Sequence, residues 1–460
     1  MRLSPILASL GLALAAPVAC AASLDAATRA EIDRRVEAVL DQSKTPSASI
    51  AVVKDGQIAY VQAYGLARLS PEVKATPAAR YKIGSVTKEL VAATALVLQE
   101  QGRLSLDDKV SKWLPDLTAA DQITLRQLLT HTAGYSDFWP EDYLMVTMER
   151  PTTADAILAT WAKKPLDFKP GEDWQYSNTG YVAAGRIIEK ASGRPLFEAV
   201  NALVLKRVGI TDAVYIDQVG LTAPDPAGYE RKALGPLRAT AVEGVGWLSA
   251  AAGLAMTAED LARWDLSLLN HSLLTPESYA AELTPAKLNN GHDTNYALGL
   301  GVRQADGRTT VSHSGEVTGF LSGNAVYPDD KAAIVVLTNT MSGRAYADIT
   351  AQIANLILTP RGFDPKARAL FEGLRLGRPD RAAFSDNCNA YLDAAAVADY
   401  AHSLGPLGPP TSFLQRSSFD RGGMKGYTYR VIVGGAPLDV SIYVLPDGKV
   451  EQFLVSKATN

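Results

Sequence analysis

The chain has 460 residues, 47% apolar and 20% charged, with a formal net charge of −4. That length exceeds one ordinary core, so a large domain with a smaller companion is expected. The balanced charge, with no run of Lys or Arg, gives no footprint for a nucleic-acid partner, and no period of about 20–50 residues marks a solenoid or propeller.

The first 21 residues read as an export signal. Arg2 is basic, Pro5 to Ala16 is apolar, and Ala19-Cys20-Ala21 supplies small residues for cleavage. The apolar stretch falls short of the about 20 residues a membrane span needs, and no later segment reaches that length. Cleavage behind Ala21 and a periplasmic or secreted location are therefore expected. Lipid attachment at Cys20 is the lesser alternative, because Pro17 stands where a lipoprotein signal usually has an aliphatic residue. After cleavage Cys388 is the sole cysteine, so no internal disulfide is expected.

Asp25 to Lys44 has helical spacing, with Ile32, Val36, Val39 and Leu40 on one face. Ser47 to Val53 and Gln57 to Val61 are β-like and flank Asp55-Gly56, a strong hairpin signal. A helix is predicted from Ser85 to Gln101, stopped by Gly102. Leu104 to Leu283 reads as mostly helical and loop-like. β character returns over Leu298 to Gln304, a turn at Asp306-Gly307, then Thr309 to His313, Phe320 to Tyr327 and Ala332 to Asn339. A helix over Ala345 to Leu358 closes this part.

That order predicts an α+β fold. One antiparallel sheet is built from both ends of the domain, flanked by helices, with a helical subdomain inserted. The expected division is a signal over 1–21, a main domain over 22–360, a linker over 361–381 and a small α+β domain over 382–460. In the last of these, Cys388 to Ser403 reads as a helix, and Tyr427 to Val433, Leu438 to Val444 and Val450 to Val455 as strands.

Three short patterns carry chemistry. Ser85-Val86-Thr87-Lys88 opens the predicted helix, and residues three apart share a helical face, so the lysine amine can reach the serine hydroxyl. A desolvated lysine of lowered pKa can take the serine proton and make it a nucleophile. The bland reading is Ser85 as a helix cap. Tyr176-Ser177-Asn178 offers a phenol for proton transfer, and a neighbouring cation favours tyrosinate. Asn178 offers an amide suited to holding a substrate carbonyl or amide. A plain loop turn is the alternative here. His313-Ser314-Gly315 ends a β-like run, where Gly lets a substrate backbone come close, or where a polar strand simply stops.

In order and placement, these three patterns resemble the Ser-x-x-Lys, Tyr-x-Asn and Lys-Thr-Gly set of class C β-lactamases and related penicillin-recognising enzymes. Leu128 to Gly134, Ala251 to Leu254 and Gly315 to Phe320 are similar to that superfamily as well. The resemblance covers residues 25 to 360. It implies acylation of Ser85, with Lys88 and Tyr176 moving protons and the backbone N–H groups of Ser85 and Glu316 forming an oxyanion hole. It further implies substrate contacts from Asn178, His313, Ser314, Gly315 and Glu316. His131 is read as structural.

His313 stands where lactamases of this type carry Lys. Most of an unperturbed histidine is neutral at neutral pH, so a fixed cation for a β-lactam carboxylate is missing. The expectation shifts to an exported serine hydrolase acting on a small ester, amide or D-amino-acid peptide, without cofactor or metal. The competing readings are a penicillin-binding or sensor protein that is acylated without turnover, and, within the class, a β-lactamase or DD-carboxypeptidase. No Gly-x-Ser-x-Gly elbow supports an α/β-hydrolase, and the five histidines include no His-Glu-x-x-His for zinc.

Overall fold

A computed structural model describes residues 24–305, 308–358 and 365–458. The expected export signal, with Cys20, and the expected turn at Asp306-Gly307 lie outside the described residues. Among the described residues, no helix is long and apolar enough to cross a membrane.

Helix α1 (Ala26–Ser43) starts at Asp25, whose carboxylate accepts from Thr28 N, and buries Ile32, Val36 and Leu40. Strands β1 (Ser47–Lys54) and β2 (Gln57–Leu69) form the expected hairpin. Its turn holds Asp55 and Gly56 at φ +52° and +73°, the left-handed geometry that Asp-Gly favours. β2 runs eight residues beyond its predicted end at Val61 and pairs with β3 (Glu72–Lys74).

The polypeptide then leaves the sheet for the helical insert and returns as β4 (Gly301–Ala305), β5 (Arg308–Val317), β6 (Phe320–Tyr327) and β7 (Ala332–Thr338). The seven strands lie in the order β3-β2-β1-β7-β6-β5-β4, so the first and last parts of the domain meet at the β1–β7 pair. Every pair in this sheet is antiparallel. Both faces are covered, which is why β7 reads as a nearly continuous apolar run. Ile50, Val52, Ile334 and Val336 pack toward α1 and the closing helix Ala345–Ile357. Ala51, Val53, Val335 and Leu337 join the larger core shared with the insert.

At the centre of that core lies α2 (Thr87–Glu100), buried at every position from Thr87 to Leu98. A helix buried on all sides needs neighbours all round. The insert supplies one in α3 (Asn178–Ser192). A 3₁₀ turn, Gly84–Val86, precedes α2 and carries Ser85.

The C-terminal part has its own core, built from residues between Ala367 and Phe453. Its sheet is β8 (Pro410–Arg421), β9 (Met424–Val433), β10 (Ala436–Val444) and β11 (Val450–Lys457), in that order. Two features differ from expectation. The stretch expected as a linker contains a helix, Pro365–Arg375, which sinks Leu370, Phe371 and Leu374 into this second core. The single helix expected over Cys388 to Ser403 is two helices, because Asp393 accepts from Ala396 N and starts a new one.

Candidate active site

Ser85 caps neither the 3₁₀ turn nor α2: the cap positions are Ile83 and Val86, and neither makes a side-chain capping bond. The hydroxyl of Ser85 is thus free of the structural duty that would have explained it. Lys88, one turn on, is fully buried, and its Nζ donates to Ser85 Oγ at 2.9 Å, Asn178 Oδ1 at 2.8 Å and Ala251 O at 2.8 Å. Burial pulls the ammonium down to about 7, against the opposing pull of Asp137. The Tyr176 and Tyr181 rings lie 4.9 Å and 5.3 Å from Lys88 Nζ, measured to their centroids.

Tyr176 and Asn178 do not sit in a loop turn. They straddle Ser177, the N-cap of α3, whose Oγ accepts from Gly180 N. Tyr176 hydrogen-bonds Ser85, yet burial is the larger influence and raises its phenol well above the ordinary value. The side chain is therefore a phenol at neutral pH, and the tyrosinate expected from a neighbouring cation is overridden by desolvation. His131 Nδ1 accepts from Ser177 N at 3.1 Å, and its ring lies 4.2 Å from that of Tyr176. Burial holds this imidazole neutral. It fixes the backbone beside Tyr176, the structural role read from the sequence.

Asn178 is committed inside the protein at both ends of its amide. Oδ1 accepts from Lys88, while N and Nδ2 donate to Asp137 Oδ1 and Oδ2, each at 3.1 Å. Asp137 did not emerge from the sequence. It lies 41 positions from Asn178 on a loop of the insert, and no local spacing joins the two.

The third pattern also differs from expectation. A Cβ on Gly315 would fall 1.9 Å from Ile83 O, and one on Gly84 would fall 2.7 Å from Glu316 N. Glycine at 315 thus lets β5 press against the residues preceding Ser85, where the expectation was room for a substrate backbone. That approach sets the Glu316 backbone beside the serine turn. His313 Nδ1 stands 2.6 Å from Ser314 O, and because a carbonyl only accepts, Nδ1 carries the proton. Nε2 then accepts from Tyr296 Oη at 2.9 Å. Both ring nitrogens are occupied, and burial, reinforced by Lys88, pushes the imidazole down to about 4. β5 pairs with β4 only through Ser312, while its pairing with β6 continues to Val317.

Ser85 opens into a cavity of about 420 Å³ whose walls include Tyr176, Asn178 and Glu316. His313 and Ser314 line a separate hollow, which shares Tyr176 as its partition. Among the described residues, no group of three or more His, Cys, Asp and Glu is placed to hold a metal ion.

Residues 32–358 match the model of the family described as Beta-lactamase. Protein flp of Staphylococcus aureus (strain N315) is 29% identical over 322 residues, a match spanning 68% of this chain and 63% of that protein. The chain thus accounts for less than two thirds of the length of that relative. Among solved structures, a D-stereospecific amidohydrolase from Streptomyces sp. superposes with a TM-score of 0.61 at 25% identity, covering 72% of this chain and 98% of that one. The octameric penicillin-binding protein homologue from Pyrococcus abyssi shares the fold at 20% identity, with a TM-score of 0.64, and covers 93% of this chain and 100% of its own.

Proposed function

The chain belongs to the Beta-lactamase family, and we propose that within it the protein is an exported serine hydrolase that forms an acyl-enzyme on Ser85. Its substrate class is a small ester, amide or D-amino-acid peptide rather than a β-lactam. The observation that carries this reading is the environment of Lys88 Nζ. Two of its contacts, Asn178 Oδ1 and Ala251 O, can only accept, so the neutral amine spends both N–H bonds on them. Its lone pair is then left for the Ser85 hydroxyl, 2.9 Å away.

In the proposed reaction, Ser85 Oγ attacks the acyl carbonyl as its proton passes to Lys88. The carbonyl electrons move onto oxygen, which the N–H groups of Ser85 and Glu316 stabilise. As the intermediate collapses, the bond to the leaving group breaks. The Tyr176 phenol protonates the departing oxygen or nitrogen and recovers a proton from the Lys88 ammonium. Water then repeats the sequence and releases the acid. The basic, apolar and small-residue zones of residues 1–21 support export.

His313 argues against efficient β-lactam turnover. A neutral ring with both nitrogens engaged brings no charge to a carboxylate, and charge-assisted hydrogen bonds are about twice as strong as neutral ones. The test is steady-state product release, past the first turnover, from p-nitrophenyl acetate and from a chromogenic cephalosporin. The expected result is sustained ester hydrolysis with kcat/KM well above that for the cephalosporin. Product release that stops after one equivalent, or a preference for the cephalosporin, would overturn the assignment.

A further inference from the structure

The walls of the Ser85 cavity carry a consistent sign. Besides the catalytic groups, they hold Glu141, Asp142 and Glu316, and among the described residues no Lys, Arg or His side chain lines the cavity. Asp137 lines it too, but its oxygens are taken by Asn178 and Trp139 N. Glu141 differs: its Oε2 is buried and, among the described residues, has no hydrogen-bond partner. A buried carboxylate oxygen without a donor costs about 1–3 kcal/mol or more, so a ligand that supplies a donor gains from meeting it. Glu316 is raised by burial and then by the charge of Asp142, which puts these two acids within electrical reach of each other.

The remainder of the wall is mostly apolar and includes the aromatic residues Phe138, Trp139, Tyr143 and Trp247. Phe138 and Trp247 lie with ring centroids 6.0 Å apart, and Trp139 and Tyr143 extend the surface. Trp139 Nε1 donates to Tyr143 O, which holds this rim together. Aromatic faces attract cations as well as apolar groups. Beyond Asp142 and Tyr143 the surface continues into a second hollow containing Arg231 and Lys232, where Lys232 pairs with Glu230 at 3.9 Å. The basic groups are therefore outside the Ser85 cavity.

We propose that this cavity selects acyl substrates in which an ammonium group is carried on an apolar, aromatic-sized body, with Glu141 and Asp142 as the specificity-determining acids. The inference rests on the reading of Ser85 as the nucleophile of this cavity. A carboxylate-bearing substrate meets like charge from the same walls, and like-charge juxtaposition costs affinity.

The test measures binding on the Ser85→Ala protein, so that turnover plays no part and failure of the nucleophile assignment is read separately, from labelling of the wild type. Three probes share one phenyl body: 2-phenylethylammonium, 2-phenylethanol and 3-phenylpropanoate. In calorimetric titrations at about 0.02 M salt, the cation should bind at least about tenfold tighter than the alcohol, with the anion weakest. Raising salt to about 0.5 M should shrink the cation's advantage. Adding Glu141→Gln and Asp142→Asn should bring the cation close to the alcohol and leave alcohol binding unchanged. Equal or tighter binding of the anion would overturn the proposal. So would a cation preference that survives the double substitution, or loss of all three probes together in that variant.

Discussion

Asp137 grips Asn178 through two hydrogen bonds, from the backbone N and from Nδ2, each 3.1 Å long. The amide is thereby turned so that Oδ1 faces Lys88 Nζ. Asp137 never touches the lysine, but it orients the group that does, and its charge raises the lysine pKa.

Substitution of Asp137→Asn should therefore have two separable effects. Misorienting Asn178 should lower kcat for an aryl ester by about 10- to 100-fold, in the range known for lost orienting partners. Removing the negative charge should also move the acid limb of the pH–rate profile to lower pH, because Asp137 opposes the desolvation of Lys88. A fall in kcat with an unmoved limb would mean that Asp137 only supports the loop.

For the wild type, kcat/KM should rise with pH through about 7, as Lys88 loses its proton. The sign follows from its role: the amine, not the ammonium, accepts the serine proton. Lys88→Ala should cost about 10²–10⁴-fold and erase that limb. A profile falling through pH 7 would assign the lysine to the acid role instead.

Much of this arrangement was legible in the sequence. Ser85, Lys88, Tyr176 and Asn178 are brought together, since helix geometry joins the first two and the start of α3 carries the others. What was not legible depends on tertiary context. Asp137 reaches Asn178 through the folding of the insert, and the occupied Nε2 of His313 depends on Tyr296, 17 positions away. The edge strand Pro410–Arg421 escaped detection because Gln415, Arg416, Ser417 and Ser418 break its apolar alternation, as suits an edge facing water. The helix Pro365–Arg375 was masked by neighbouring Pro, Gly and Arg residues that read as a linker.

A cluster of buried acids makes a further prediction, about stability. Asn324 Nδ2 donates to Glu89 Oε2 at 3.1 Å and to Asp265 Oδ1 at 2.7 Å, while Glu282 is buried nearby with no hydrogen-bond partner among the described residues. Burial pushes Asp265 and Glu282 up to about 8 and holds Glu89 well above the carboxylate range. In the unfolded chain such groups ionise near about 4. Between those values the folded state binds more protons, so stability is full below pH about 4 and declines as pH rises to about 8. Asp265→Asn with Glu282→Gln should flatten the decline of Tm over that window. Parallel Tm curves for variant and wild type would contradict the account.

The central claim is that Ser85 becomes covalently acylated, and the most direct test is to locate the adduct. After treatment with a fluorophosphonate, intact-mass measurement followed by peptide mapping should find one adduct per chain, on Ser85, and none in a folded Ser85→Ala variant. Labelling that persists in that variant, or maps to a different residue in the wild type, would contradict it.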